Sequence, residues 1–421
     1  NLDKENLLYY NGYGGFTKDG KEYAIMVNRK RKTPVVWSHI MANEKFGTIV
    51  TESLGGYTWY ENCKMNRITE FSNDPLLDKP SESILIEDDG KLWSVAASPM
   101  PDNNNYFIHY GFGYANFMHT SSKLEQNLTV FVPRNDSLKI NYLTIKNTSL
   151  NKKNIKVIYD VDFVLGEKKD RFINTILKEN LNMVLVKNNL NPSNYAYISS
   201  NEKIKLKDNK VILDLEIDSL ETKSITLLLG CEKNEMDCLE VSNKYLGKEI
   251  DELNKVKEYW EDKVKVIEAK TPMESFNILQ NGWLVYQTMA SRMIGKTGYY
   301  QSGGAIGYRD QLQDAMNMKY LNPEILKNQI ILHAKHQFIE GDVEHWWHDN
   351  ISLGIRARYS DDLLWLPYAV VDYIEFTGDY SILDEEAEYL EGKLLEENEH
   401  DRMDYYLPSN KKESIYYHCI R

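Results

Sequence analysis

The sequence predicts an α+β multidomain protein: a long antiparallel β-region, a charged helical bridge and a helical second half. Three observations carry this. Apolar and polar residues alternate from about Tyr9 to Gly230, the stretch after Asp237 is charged and free of proline until Pro272, and beyond Pro272 the apolar spacing becomes helical. The expected boundaries are residues 1–235, 236–270 and 271–421.

In the first region "NIKVIYDVDFVLG" puts Ile155, Val157, Tyr159, Val161 and Phe163 on one side and Lys156, Asp160 and Asp162 on the other, the pattern of a half-buried strand. "KVILDLEID" repeats it with Val211, Leu213, Leu215 and Ile217, and "LTVFVP" with Leu128, Val130 and Val132. Turn clusters such as "PDNNN", "PRNDS" and "KNTSLNKKN" separate these runs, so a large antiparallel sandwich is expected. In the bridge, Leu239, Tyr245, Ile250, Leu253, Val256 and Trp260 form an apolar stripe on one or two helices.

In the last region Phe276, Leu279, Trp283, Tyr286 and Ala290 make one helical stripe, and Ile325, Ile330, Ile331 and Ala334 belong to a second helix. "SDDLLWLPYAVVDYIEFTGDYSILDEEAEYL" reads as a third long helix, with Ser360 as N-cap, Gly378 as stop and a kink at Pro367. No strand pattern stands out, which predicts an all-α domain. The chain closes in "ESIYYHCIR", within a further helical pattern.

The 421 residues are 42% hydrophobic and 27% charged, as in globular proteins, and the net charge of -13 argues against nucleic acid or an anionic membrane as partner. The 29 tyrosines and 8 tryptophans supply flat amphipathic rings that suit sugar faces and equally fill cores. Cys63, Cys231, Cys238 and Cys419 match no zinc spacing and read as reduced thiols of a cytoplasmic protein. No apolar run reaches transmembrane length and no secretory signal is visible. The first residue is Asn1 rather than Met, so an excised piece is expected.

Three segments depart from scaffold composition. In "SGGAIGYRDQLQD" small residues admit a close backbone approach, and Arg309 beside Asp310 offers paired donors and acceptors of the kind sugar hydroxyls require; alternatively the pair caps a helix. It lacks the Lys-Ser/Thr ending of a phosphate loop. In "EGDVEHWWHDN", Trp346 and Trp347 cannot both face one helical core, so one is expected in a groove, with His348 or Asp342 beside it. His345, His348, Asp342 and Glu344 have metal-ligating chemistry, but the spacing dictates no third ligand and no metal is expected. In "GIRARYSDDLLW", Arg356, Arg358, Asp361 and Asp362 crowd opposite charges at a helix start. Together they suggest a carbohydrate site on loops before helices.

The order "QSGGAIGYRDQLQD", "EGDVEHWWH", "RYSDDLLWLPYAV", "TGDYSILDE" resembles the glycoside phosphorylases of glycoside hydrolase family 94, and is most similar to the branch forming the C-terminal region of cyclic β-1,2-glucan synthases. "YYNGYGGFTKDGKEYAI" and "HYGFGYANFMHTSS" resemble that family's N-terminal domain. The resemblance implies a β-supersandwich, a helical linker and an (α/α)6 barrel, here present in its first half. It also implies inverting phosphorolysis of β-glucosidic bonds, in which phosphate attacks the sugar while one carboxylic acid protonates the leaving oxygen. Inorganic phosphate is then a co-substrate, no cofactor or metal is implied, and the protein is expected to be a homodimer. The expected substrate-binding set is Tyr308, Arg309, Asp310, Gln313, Trp346, Trp347, His348, Arg358, Asp361 and Asp362; of these the resemblance implies that Arg309 and Asp310 grip the glucosyl unit and that Trp346, Trp347, Asp361 and Asp362 line the same barrel mouth.

Two departures qualify the resemblance. The loop "SGGAIGY" lacks the arginine that cellobiose-type members use for phosphate, so other groups must serve. The family's general acid lies in a Trp-Asn-Asp motif, absent from these residues and expected beyond Arg421, with the family's phosphate-binding His and Thr expected farther on still. By itself the chain is therefore expected not to catalyse phosphorolysis. It is read as part of an enzyme or, alternatively, as a non-catalytic carbohydrate-binding subunit whose second chain carries the rest of the barrel.

Overall fold

A computed structural model describes residues 6–190 and 192–421. In the first half the alternation becomes register. The strands Leu124–Phe131, Leu138–Asn147 and Thr222–Glu232 pair antiparallel at the centre of a ten-stranded sheet, with Leu128 opposite Leu143 and Ile140 opposite Leu228. Their apolar faces are buried against two five-stranded sheets. One contains Glu82–Asp88, Lys153–Val161 and Lys210–Ile217, and the other Ser38–Ala42, Phe46–Thr51 and Gly56–Tyr60. Ile155, Val157, Tyr159, Val161, Leu213 and Leu215 all lie inside, on the side their alternation assigned.

One charged pair is sealed between these sheets. Lys139 donates to Thr58 Oγ1 at 3.0 Å and to the Glu82 carboxylate, which also accepts from the Tyr159 hydroxyl at 3.2 Å. Burial lowers the Lys139 pKa, while Glu82 opposes that shift. The network joins strands of all three sheets.

The bridge forms the helices Glu235–Tyr245 and Glu249–Val264. Tyr245, Val256 and Trp260 are buried, whereas Ile250 is 51% exposed and leaves the expected stripe. The Arg134 guanidinium, 4.0 Å from the Tyr259 ring centre, helps hold the second helix to the sandwich.

Residues 274–295 are helical throughout, but Leu279–Trp283 and Thr288–Gly295 are wound as π-helix. Each wide turn shifts the sequence around the axis. Trp283, Tyr286 and Ala290 are therefore buried, while Phe276 and Leu279 from the same expected stripe are 44% and 40% exposed. Trp283 Nε1 donates to Gly20 O at 2.8 Å and Tyr286 donates to Ile40 O at 2.5 Å, tying this helix to the sandwich.

The strand-free second half is not what forms. The helices Tyr308–Met318, Pro323–Ala334 and Asp362–Thr377 pack around Leu312, Leu326, Ile330, Leu366 and Tyr373, but strands are interleaved with them. Ile306–Gly307, Glu344–His348, Leu353–Ala357 and Asp401–Tyr405 form a four-stranded sheet, and Glu386–Glu391 pairs with Leu407–Ser414. The third long helix accordingly ends at Thr377, where Gly378 takes φ 71°, and its last third becomes a short 3-10 turn and a strand. Asp361, not Ser360, occupies its N-cap position, and the helix runs on past Pro367. The final turn Ile415–Ile420 is helical.

Candidate active site at the seam of the two halves

The loop after the π-wound helix is fastened to the sandwich before it reaches Arg309. Tyr299 donates to Asp78 at 2.9 Å and Tyr300 to Val36 O at 3.0 Å. Gly304, at φ +66°, lies against the turn that begins at Asn62; a Cβ there would stand 2.8 Å from Asn62 Oδ1 and 3.0 Å from Cys63 Sγ. Only glycine permits that approach. The Gly304 carbonyl accepts from Asn62 Nδ2 at 3.1 Å and from His348 Nδ1 at 3.1 Å. Asn62 Nδ2 also lies 3.2 Å from that ring nitrogen, and burial lowers the His348 pKa.

These contacts enclose a cleft of about 330 Å³ at the seam, walled by Lys64, Arg292, Lys296, Gln301, Gly307, Asp310, Gln311, Trp346 and His348. Arg292 pairs with Asp314 at 2.7 Å and Lys296 with Asp349 at 3.4 Å. Lys64 has no ion-pair partner among the described residues. Asp310 is exposed in the first turn of the Tyr308–Met318 helix, where a carboxylate gains from the helix dipole. Its Oδ2 lies where a Cβ on Gly307 would be, 2.6 Å away, so that glycine leaves room for the carboxylate. The helix start is capped instead by Gln311, whose Oε1 accepts from Gly307 N at 2.6 Å.

Arg309 does not cap the helix with Asp310. It reaches Asp361 at 3.3 Å and lies 5.5 Å from the Trp365 ring centre, with both members of the pair about half exposed. Beside them His345 Nδ1 bonds Asp362 Oδ2 at 2.7 Å and stacks on Tyr359 at 4.1 Å. Burial raises the Asp362 pKa, opposed by His345 and reinforced by the charges of Asp361 and Asp310. The fold thus brings Arg309, Asp310, Asp361 and Asp362 to one edge, with Trp346 and His348 in the adjoining cleft.

Four expected site residues are placed elsewhere. Tyr308 and Trp347 are 0% and 1% exposed and belong to the second core, so neither presents a face to a ligand. The indole pair lies on a strand rather than a loop before a helix; side chains alternate there, which buries Trp347 and leaves Trp346 half-buried. Arg358 donates to the backbone carbonyls of Leu395, Glu396 and Glu399 and fastens that loop. Gln313 points to solvent, and Gln311, two residues before it, is the amide in the cleft. The potential metal ligands also separate. Glu344 bonds His336 at 2.5 Å, His345 bonds Asp362, and Asp342 bonds Arg356.

Lys64, Arg292 and Lys296 were absent from the sequence-based set. Lys64 shares a turn with Asn62, whose side chain bonds the Gly304 carbonyl 242 residues later, and no local pattern links the two segments. Among the described residues no helix is long and apolar enough to cross a membrane.

Comparison with known proteins accords with this architecture. Residues 21–209 match the Glycosyl hydrolase 94, supersandwich domain, and residues 259–421 match the Glycosyl hydrolase 94 superfamily, catalytic domain. The chain is 29% identical to the cyclic beta-(1,2)-glucan synthase NdvB of Rhizobium meliloti (strain 1021), covering 100% of this chain and 16% of that protein. It is 22% identical to the N,N'-diacetylchitobiose phosphorylase of Vibrio furnissii, covering 90% of this chain and 57% of that enzyme. The chain thus spans less than two thirds of either relative. A solved structure from the human microbiome, provisionally assigned as a kojibiose phosphorylase, has the same fold with a TM-score of 0.58 at 13% identity, over 88% of this chain and 58% of that one. The sheet-rich first half, the helical second half and the two domain matches together make this chain a member of glycosyl hydrolase family 94.

Proposed function

We propose that the protein takes part in inverting phosphorolysis of β-linked gluco-oligosaccharides, yielding α-glucose 1-phosphate, and that this chain supplies the sugar- and phosphate-holding side of the site. The observation that carries the reading is the seam cleft, where one exposed carboxylate, Asp310, shares a space of about 330 Å³ with Lys64, Arg292 and Lys296. In this scheme Asp310 accepts hydrogen bonds from glucosyl hydroxyls, and Arg309, oriented by Asp361 and Trp365, donates to neighbouring ones. The cations, Lys64 foremost, hold phosphate in place of a loop arginine. A phosphate oxygen then bonds the anomeric carbon from the face opposite the glycosidic oxygen, which departs with a proton from a carboxylic acid. Phosphate is itself an anionic nucleophile, so no second carboxylate is needed to activate water.

The acid is assigned to a Trp-Asn-Asp motif outside these residues, which contain none. That same observation favours a second reading, a non-catalytic or partner-dependent carbohydrate-binding subunit whose partner chain carries the acid. A homodimer and a cytoplasmic setting are further parts of the proposal. The test is release of sugar 1-phosphate from β-linked gluco-oligosaccharides by the complete polypeptide, with and without phosphate. Phosphate-dependent release is expected; free sugar formed equally well without phosphate would overturn it.

A further inference from the structure

A second cleft, of about 280 Å³, opens where the first β-hairpin and the strand Ser38–Ala42 meet the π-wound helix. Its walls include Phe16, Tyr23, Trp37, Tyr110 and Trp283, with Ser38 and Gln287 beside them. The floor is rigid. His39 is stacked between Tyr110 at 4.9 Å and Tyr286 at 5.3 Å, and Tyr110 donates to Trp37 O at 2.8 Å. Trp37 N is itself held by Glu52 at 3.0 Å. The cleft wall carries no formal charge, because burial pushes the His39 pKa down to about 4 and no acid, lysine or arginine lines it.

The partly exposed rings are arranged differently from the floor. Phe16 meets Tyr23 at 81°, and Tyr23 meets Trp37 at 73°, so none of these three is covered by a parallel neighbour among them. Polar groups of neutral character accompany them. The Ser38 hydroxyl and the Gln287 amide are exposed and make no hydrogen bond among the described residues, and the Tyr23 hydroxyl accepts from Asn11 at 3.2 Å while its own proton is free to donate. Flat rings beside neutral donors and acceptors suit a ligand with an apolar C–H face and a rim of hydroxyls. A phosphate or sugar phosphate would find no cation here, in contrast to the seam cleft with Lys64, Arg292 and Lys296.

We infer that the cleft of Phe16, Tyr23 and Trp37 is a second saccharide-binding site, which holds a neutral gluco-oligosaccharide apart from the seam cleft, where Asp310 grips the reacting glucosyl unit. This rests on the saccharide chemistry proposed above. It gives the sandwich a ligand of its own and separates holding of a glucan chain from gripping of the reacting unit.

The test titrates the 421-residue chain with β-linked glucotetraose by calorimetry and tryptophan fluorescence, in parallel with α-glucose 1-phosphate. Trp37→Ala should weaken tetraose binding by about tenfold or more. Gln287→Ala, an exposed change that should leave the thermal midpoint unaltered, should weaken it severalfold, while Asp310→Ala removes the seam-cleft contribution and retains the part of tetraose binding that depends on Trp37. The inference is overturned if both cleft variants bind tetraose as wild type does, or if Asp310→Ala removes all of it. It is equally overturned if Trp37→Ala dissociates a dimer with tetraose affinity unchanged, which would make the cleft an interface between copies. Failure of the phosphorylase reading is separate: tetraose would still bind through Trp37 while α-glucose 1-phosphate does not bind at all.

Discussion

Arg356 and Arg309 each face carboxylates in the helical half, and the fold treats them in opposite ways. Arg356 is 0% exposed, bonds Asp342 twice at 2.7 Å and Glu340 at 3.0 Å, donates to Gly392 O, and lies 3.9 Å over the Phe338 ring. Arg309 makes one contact at 3.3 Å with Asp361 and remains about half exposed. The first is a clamp between a strand and a loop; the second is an available fork of donors held in orientation. Side-chain chemistry is the same, so burial and the number of satisfied bonds separate an arginine committed to the scaffold from one left available to a ligand.

That contrast can be broken most severely at the clamp. Arg356→Met should lower stability by about 1.5–3 kcal/mol, because it removes the charge-assisted bonds of a buried guanidinium while its partly exposed carboxylate partners regain water. Thermal or denaturant unfolding measures the loss, and a change below about 1 kcal/mol would put Arg356 in the same class as Arg309.

Glu344 belongs with the buried side of the comparison, and its effect depends on pH. Burial raises its pKa to about 8, and its neighbour His336 is held neutral with a pKa near 3, so the carboxyl is protonated in the fold. A raised carboxyl pKa means the folded state holds the proton more tightly than the unfolded chain. Its contribution to stability is therefore complete below the free pKa of 4.5 and is lost as pH rises toward about 8. Glu344→Gln should track the wild type at acid pH and exceed its stability by about 1 kcal/mol or more by the upper end of that window. Parallel stability–pH curves for the two proteins would contradict the assignment.

Arg309→Ala defines the small end. Loss of an exposed pair and a distant ring contact should change stability by about 0–1 kcal/mol, measured by the same unfolding experiment, while weakening α-glucose 1-phosphate binding. A loss of several kcal/mol would make the residue part of the scaffold.

The same distinction explains what could be read from the sequence. The β-half was legible because burial there follows a period of two in the chain itself: Ile155, Val157 and Tyr159 announce their face. The bridge helices and the Gly378 stop were legible for similar local reasons. The strand Glu344–His348 was not, since five residues are too few to separate a period of two from a helical one and its partner Leu353–Ala357 is equally short. The π-turns that expose Phe276 carry no sequence mark. In the site, Asp310 and Arg309 could be found from composition beside glycines, whereas Tyr308 and Trp347 share that chemistry and are placed in the core by tertiary packing alone. Lys64 could not be found at all, because the seam is made by chain segments from different halves of the molecule.

The central claim is that Asp310 is a ligand-gripping carboxylate on an intact scaffold. Calorimetric titration of α-glucose 1-phosphate into the wild-type chain and into Asp310→Ala, with thermal unfolding of both, tests it directly. The wild type should bind, the variant should show no detectable binding, and the two stabilities should agree to within about 0.5 kcal/mol. Equal affinity in the two proteins would reduce Asp310 to a favourable charge at a helix start.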